Sequence, residues 1–230
     1  MTIEHKIIGH DMQSVEFVLK PGEEVKAEAG TLLYMEQHIS YEVKMGKGGV
    51  LGALGRSLTG AGVFLTHFKN QHSHPSKVAF AANSPGKIVH INLSKWANSA
   101  INVEHNGFLA ATGDTDIDTK RVKRIKAGIF GQSGFFLQHI SGGGSAYLHC
   151  CGAVIERTLK NEEIRCDPGS VVAFEDGIGF SVERAGGLKT MMLGGDRYFA
   201  TLKGTGKIIL QGLPWGRVVN HIVEVANASR

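Results

Sequence analysis

The stretch VEFVLKPGEEVKAEAGTLLYME, residues 15–36, returns near the other end of the chain as IERTLKNEEIRCDPGSVVAFE, residues 155–175, with one residue fewer at the turn. Charged, apolar and glycine positions correspond between the two copies. The correspondence continues where residues 39–43 (ISYEV) are matched by residues 178–182 (IGFSV). Because self-similarity of this kind is the signature of repeated structural units, we predict an internal duplication.

Apolar and polar residues alternate within each copy. Val15, Phe17 and Leu19 lie on one face of an extended chain, and Ser14 and Glu16 lie on the other. This period of two predicts half-buried β-strands. The Pro-Gly pairs at 21–22 and 168–169 supply turn chemistry between strands. Each copy therefore predicts a run of short antiparallel strands.

A second pattern occurs three times and consists of an aromatic-rich strand, a turn and an apolar returning strand. The first strands start at residues 62–66, 134–138 and 197–201, and the returning strands at 77–80, 145–148 and 207–210. Two of the turns are glycine-rich, at 142–144 and 204–206, whereas the first copy has the longer loop 70–76. Glycine turns between apolar runs indicate β-hairpins.

Helical periodicity is confined to the C-terminal end. After Pro214, the residues Val218, Ile222 and Val225 are spaced i, i+4 and i+7, which predicts one short helix. The predicted fold class is therefore all-β: a duplicated antiparallel β-sandwich with two sheets and one short C-terminal helix. We expect residues 1–230 to form a single domain with repeats at residues 14–82 and 154–213, joined by a β-rich middle segment.

Composition excludes several classes of protein. The 230 residues are 42% hydrophobic and 20% charged, which is typical of a globular chain, and the net charge of +4 is too small for a dedicated nucleic-acid binder. Three cysteines favour a reducing, cytoplasmic setting over a disulfide-stapled secreted domain. We expect no signal peptide. Arg56, at the centre of the glycine-rich stretch 48–66, argues against a membrane span.

Four segments together resemble a known protein family. They are AGTLLYM at 29–35, MGKGGVLGALGR at 45–56, GIFGQSGFF at 128–136 and PGSVVAFE at 168–175. The chain resembles the mitochondrial biogenesis family, altered inheritance of mitochondria type, which in bacteria is a domain of unknown function. The resemblance implies a duplicated β fold similar to that of the tryptophan RNA-binding attenuation protein, assembled as a homotrimer with pseudo-sixfold character. It implies no activity and no catalytic residues, and it suggests a role in assembly or at a membrane.

The loop His72-Ser73-His74 is the candidate metal site. Two imidazoles two residues apart can bind one metal ion. A site of the cupin kind also needs a carboxylate a few residues on, but residues 75–86 contain no Asp or Glu. His67 and His90 could complete a site only if the fold brings them close. We therefore predict no metal and no cofactor, with His72 and His74 as the candidates to check.

The run KRVKRIK at 120–126 is the candidate anion-binding segment. Lys120, Arg121, Lys123, Arg124 and Lys126 could neutralise phosphates of RNA or of anionic lipid. The preceding Asp-rich segment 114–118 makes a solvated strand the simpler interpretation.

The sequence favours a non-enzymatic structural or interaction protein, and the family resemblance implies that it forms a homotrimer and suggests a role associated with membranes. No nucleotide-binding glycine motif, serine elbow or activated cysteine is recognisable. One alternative is a module that binds RNA or an anionic membrane through residues 120–126. A lesser alternative is a metal-dependent β-barrel enzyme that uses His72 and His74. The predicted partner is the chain itself, with a protein or a membrane surface as further possibilities and no small-molecule substrate.

Overall fold

The computed structural model describes residues 3–45, 64–120, 136–184 and 198–228. These residues contain seventeen β-strands and one α-helix. In chain order they are β1 (Glu4–Ile8), β2 (Ser14–Leu19), β3 (Glu24–Glu28), β4 (Leu32–Met35), β5 (Ile39–Met45), β6 (Phe64–Asn70), β7 (Ser76–Ala81), β8 (Lys87–Asn92), β9 (Ala100–Glu104), β10 (Phe108–Thr112), β11 (Thr115–Lys120), β12 (Leu137–Gly142), β13 (Ser145–Cys150), β14 (Val154–Cys166), β15 (Val171–Glu175), β16 (Gly179–Arg184), β17 (Tyr198–Gln211) and α1 (Trp215–Ala228). Short 3-10 turns cover Leu93–Lys95, Ala97–Ser99, His105–Gly107 and Pro168–Ser170.

Hydrophobic alternation explains the outer strands, and continuous burial explains the inner ones. In β2, every second residue is buried, and Val15, Phe17 and Leu19 are completely enclosed. In β9, β10, β13 and β15, every residue is buried. Strands covered on both faces need apolar or small residues throughout, which is why β10 and β15 read FLAAT and VVAFE.

The same pairings occur three times along the chain. In unit 1 (β2 to β7), β2 and β4 pair with β7, and β3 and β5 pair with β6. In unit 2 (β8 to β13), β8 and β10 pair with β13, and β9 and β11 pair with β12. In unit 3 (β14 to β17), β14, β15 and β16 all pair with β17. Here β14 occupies the places of β2 and β3, and β17 those of β6 and β7.

Units 1 and 3 also share their registers. The pairs Val15↔Phe80 and Glu16↔Ala79 in unit 1 correspond to Ile155↔Leu210 and Glu156↔Ile209 in unit 3. The register shifts at the same place in both units, between Leu32 and Tyr34 against β7 and between Val171 and Ala173 against β17. Such a shift inserts one residue into the strand as a β-bulge. The two ends of the chain therefore match in hydrogen-bond partners as well as in sequence.

The second copy is one residue shorter at the turn, and there β14 continues as one long strand. In unit 1, the chain turns between β2 and β3 at Gly22, whose φ is +80°. In unit 3, the single residue Asn161 stands there with φ +56°, and the register shifts between Lys160 and Glu162. Asn tolerates the left-handed region better than other residues with a β-carbon. The tight turn thus becomes a bulge, and the strand continues.

Consecutive units are joined strand to strand. In the first joint, β3 of unit 1 pairs with β10 of unit 2, and in the second joint, β9 of unit 2 pairs with β15 of unit 3. The joints produce a six-stranded sheet, β5-β6-β3-β10-β13-β8, and a seven-stranded sheet, β11-β12-β9-β15-β17-β14 with β16 on β17. The remaining strands form a four-stranded sheet, β1-β2-β7-β4.

The predicted all-β class, antiparallel pairing and C-terminal helix are confirmed. The described strands are distributed over three sheets, where the sequence suggested two, because each joint fuses half of one unit to half of the next. The side chains between the sheets form three buried apolar clusters, and units contribute to one another's clusters. For example, Leu109 and Tyr147 of unit 2 are buried with Phe17 of unit 1.

Candidate functional site: two open sheet edges

The candidate metal residues His72 and His74 lie together in the loop between β6 and β7. The rings of His72 and His38 stack at 4.0 Å, and the His74 ring lies 5.2 Å from that of His72. The buried amide of Asn70 fixes the loop, since it donates to the carbonyl of His74 (2.8 Å) and accepts from the backbone N–H of His72 (2.8 Å). Burial and the imidazoles of His38 and His74 lower the pKa of His72.

The two further histidines have other contacts. Nδ1 of His67 lies 2.7 Å from Oε1 of Glu24. His90 stacks on Tyr147 at 4.8 Å and meets His5 edge-on at 4.5 Å. Across the described part of the chain, no group of three or more His, Cys, Asp or Glu residues is placed to hold a metal ion.

Only the start of the basic run falls on the described residues. Lys120 ends β11, opposite Leu137 of β12. Arg121, Lys123, Arg124 and Lys126 lie outside the described residues, as does most of the glycine-rich stretch 48–66. Within the described ranges, no helix combines the length and the apolar character needed to cross a bilayer.

All three cysteines are free thiols. Cys150 and Cys151 are buried, and burial raises the pKa of Cys150 to about 12 and also raises the pKa of Cys151. Half-buried Cys166 has a pKa raised to about 11 by burial. Because the thiolate is the nucleophile, raised pKa values make these groups poorly reactive at neutral pH.

The clearest anomaly of the surface is β4, the outer strand of the four-stranded sheet. Leu32, Leu33 and Tyr34 are all exposed, and Leu33 has 55% of its surface open to solvent. The corresponding bulge residues of units 2 and 3, Leu109 and Val172, are 0% and 1% exposed. The difference arises because β10 and β15 pair across a joint, whereas β4 has β7 as its only partner among the described strands.

The second half of β14 is the complementary anomaly. In the joints, Val25 and Ala27 of β3 and the equivalent residues of β9 are completely buried. Their counterparts in β14, Ile164 and Cys166, are only half-buried. Within the described ranges, this half of β14 has a partner strand on one side only, β17. The described chain thus ends in two open edges of the same kinds that form its inner joints.

Polar groups beside the two open edges are held in place. On the β4 side, the Tyr34 hydroxyl and Lys77 hydrogen-bond to the Glu16 carboxylate and lower its pKa. On the β14 side, Arg165 and Lys203 both approach Glu163, at 3.6 Å and 3.4 Å.

Sequence reasoning does not single out these edges. The apolar run in β4 indicates a strand, but it is as apolar as β15 and gives no sign that its neighbour is absent. Among the described units, β4 belongs to the first and the second half of β14 to the last.

Comparison with known proteins agrees with this architecture. The family model described as "Mitochondrial biogenesis AIM24" matches residues 5–213. An uncharacterised protein of Streptococcus pyogenes serotype M6 is 27% identical over 205 residues, which cover 86% of this chain and 81% of that protein. An X-ray crystal structure of a Streptococcus pyogenes protein superimposes with a TM-score of 0.79 at 22% identity, covering 97% of this chain and 99% of that one. This last likeness shows the fold.

Proposed function

This chain belongs to the mitochondrial biogenesis AIM24 family, and from that premise we propose that it is a non-enzymatic structural protein of the cytoplasm that assembles with copies of itself into a homotrimer. The single observation that carries the proposal is the pair of open edges at β4 and β14. The free thiols support a reducing compartment. Their raised pKa values support a role without thiol catalysis.

The inner joints specify how two copies would pair. In the first joint, Ala110, Ala111 and Thr112 lie opposite Ala27, Lys26 and Val25, and the second joint repeats this register. Transferred to the open edges, the register places Tyr34, Met35 and Glu36 of one copy opposite Cys166, Arg165 and Ile164 of the next. Lys26 donates to the carbonyl of Thr115 across the first joint, and Arg165 holds the corresponding place on the open edge.

Pairing in this register would complete the unfinished sheets. The six-stranded sheet consists of the half β5-β6-β3 from one unit and the half β10-β13-β8 from the next. The four-stranded sheet contains only a second half, β4-β7-β2, extended by β1. The strands β16-β17-β14 of another copy supply the missing first half. Leu32 and Leu33 would then be buried like their counterparts, which stabilises association by about 25 cal/mol per Å² of apolar surface.

The two edges differ, so the contact is heterologous and repeats head to tail. Such contacts close into rings when the rotation permits and otherwise form filaments. The family resemblance favours a closed trimer. Because the pairings occur three times in each chain, we also infer that the chain arose by repeated duplication and that a trimer contains nine units rather than six.

Light scattering on the purified chain tests the proposal. We expect a particle of about 74 kDa, three times the 24.7 kDa chain. Leu33→Asp should reduce it to the monomer, because a carboxylate would be buried in the joint. Met12→Asp is the matched control, since Met12 is also an exposed apolar residue but precedes β2, away from the β4 edge. A 24.7 kDa particle for the unaltered chain at micromolar concentration would refute the assembly.

The alternatives raised by the sequence stay predictions. The binding of RNA or of an anionic membrane depends on residues 120–126, of which the structure describes only the backbone of Lys120. A metal-dependent enzyme depends on His72, which stacks on His38, and on His74, whose ring is tilted against that of His72. A role at a membrane follows from the resemblance alone.

A further inference from the structure

The helix α1 carries an apolar face that is exposed in the described part of the chain. Trp215, Val218, Val219, Ile222, Val225 and Ala226 fall on one side of the helix at i, i+3, i+4 and i+7 spacing. None of them is buried, and Ile222 is 58% exposed. The opposite side carries Arg217, Asn220 and Glu224. An amphipathic helix of this type owes its stability in proteins mainly to packing of the apolar side.

The base of α1 is fixed beside the open end of β14. The guanidinium of Arg217 forms an ion pair with the carboxylate of Asp167, the residue that follows β14. Pro214 is buried and packs against Gly169, where an added β-carbon would lie 3.1 Å from the Pro214 ring. The helix therefore starts next to the 3-10 turn Pro168–Ser170, which follows the edge that we propose as one side of the joint.

The second joint shows which part of a neighbouring unit reaches this position. There, the turn after β9 packs on the bulge residue of β15, because a β-carbon on Gly107 would lie 3.1 Å from Cγ1 of Val172. By the correspondence of the units, Ser170 takes the place of Gly107, and Leu33 of the next copy takes the place of Val172. Leu33 would thus arrive beside the first turns of α1.

We propose that the apolar face of α1 is a latch that packs on a second copy of this chain, against the exposed residues Leu32 and Leu33 of the β4 edge. This inference rests on the proposed assembly and names an additional contact within it. The polar face also distinguishes this occupant from a lipid surface. Helices that lie on anionic membranes carry many Lys and Arg residues on that face, whereas here Arg217 is paired with Asp167 and Glu224 is acidic.

Two neighbouring substitutions test the latch. Val219→Glu places a charge on the apolar face, and Asn220→Glu places the same charge on the polar face, so the two variants have the same net charge. We expect Val219→Glu to raise the concentration at which the particle dissociates by roughly tenfold or more, as for an interface anchor. Asn220→Glu should leave that concentration unchanged. Equal dissociation of both variants would overturn the latch while leaving the strand joint intact.

Fluorescence of Trp215 provides an independent readout. The chain contains two tryptophans, so Trp96→Phe leaves Trp215 as the only emitter. We expect its emission to shift to shorter wavelength on concentration from the monomer to the assembly. An assembly in which the emission does not shift refutes the latch, as does a shift produced only by phosphatidylglycerol vesicles. If the unaltered chain remains a monomer at all concentrations, the proposed function itself has failed.

Discussion

The strands β4 and β15 hold the same place in their units, yet one faces solvent and the other is completely covered. Both have a bulge at their second residue, and both pair with the returning strand of their own unit in the same register. The carboxylates that follow match as well, since Glu36 accepts the backbone N–H of Lys77 (2.9 Å) and Glu175 accepts that of Lys207 (2.8 Å). Nevertheless, Leu33 is 55% exposed and Val172 is 1% exposed.

The difference teaches that a unit does not bury its own outer strand. The cover for β15 comes from β9 of the preceding unit, and that for β10 comes from β3. Among the described strands, none covers the outer edge of β4, although β4 has the apolar residues of a covered strand. An exposed apolar edge strand is a template for pairing with another chain, which is why we assign it to self-association.

The largest effect is expected from the same substitution at the two bulge positions. Val172→Asp should lower the free energy of unfolding by roughly 3 kcal/mol or more, because it buries an unpaired carboxylate. Leu33→Asp should change that of the monomer by less than about 0.5 kcal/mol. Urea denaturation of dilute samples measures both. A large loss at Leu33 in a monomer would contradict the comparison, because it would mean that the chain covers β4 by itself.

The sequence predicts the strands well because their pattern is local. The alternation in β2 and the apolar run in β15 are each contained within six residues, and the two copies support each other. The internal duplication itself stays a prediction, to which the shared registers lend support. The sequence predicts only a β-rich segment between the two repeats, because the strands of unit 2 keep the pairings while their sequences diverge.

The open edges could not be predicted, because exposure depends on partners far away in the chain. TLLYM in unit 1 and SVVAF in unit 3 are equally apolar. The difference depends on the order of the units. SVVAF in unit 3 has β9 of unit 2 beside it, whereas TLLYM in unit 1 has no covering strand among the described residues. The predicted site residues have a similar limitation. His72 and His74 lie two residues apart in sequence, but among the described residues no group of three or more His, Cys, Asp or Glu side chains is placed to hold a metal ion.

The stability of the folded chain should depend on pH through Glu104, a buried carboxyl group at the end of β9 in the second joint. Glu104 ends β9, accepts hydrogen bonds from the backbone and side chain of Asn106 (3.0 Å each), and has a pKa raised to about 7 by burial, from an ordinary value of 4.5. A raised carboxyl pKa favours the protonated folded state. Stability should therefore be highest below about pH 4.5 and decrease as the pH rises to 7, by up to about 3 kcal/mol for this group.

Glu104→Gln should remove this part of the pH dependence, as measured by urea denaturation at pH 5 and pH 8. Burial also raises the pKa of Glu28, the corresponding residue of unit 1, to about 7. The contribution of Glu28 to the pH dependence of stability therefore remains in the variant. Desolvation lowers the pKa values of His105 and His149, and these two groups act in the opposite direction. Their contribution cancels in the difference between the variant and the unaltered chain. A difference that is the same at both pH values would show that Glu104 is not buried in the joint.

A smaller effect should separate the two matching carboxylates. Glu175 is buried and accepts from the backbone N–H groups of Ala97 (2.6 Å) and Lys207 (2.8 Å). Glu175→Ala should lower the free energy of unfolding by about 2 to 3 kcal/mol, because two donors lose a charged acceptor. Glu36→Ala removes one exposed bond and should cost about 1 kcal/mol or less. Equal losses of stability in the two variants would show that the Glu36 and Glu175 carboxylates lie in similar environments.

The smallest loss of stability is expected for a substitution on the open edge of β14. Cys166 and Val103 hold corresponding places, the first half-buried on β14 and the second completely enclosed in the second joint. Val103→Ala should cost about 2 kcal/mol, because it leaves a cavity between packed strands. Cys166→Ala should cost less than about 1 kcal/mol in the monomer, because solvent fills the space and unit 1 has alanine at the equivalent position, Ala27. Thermal denaturation of dilute samples measures both.

Because assembly would enclose Cys166 opposite Tyr34 of the next copy, the cost of Cys166→Ala should increase with protein concentration while that of Val103→Ala stays constant. A concentration-independent cost at both positions would mean that β14 remains an open edge in solution.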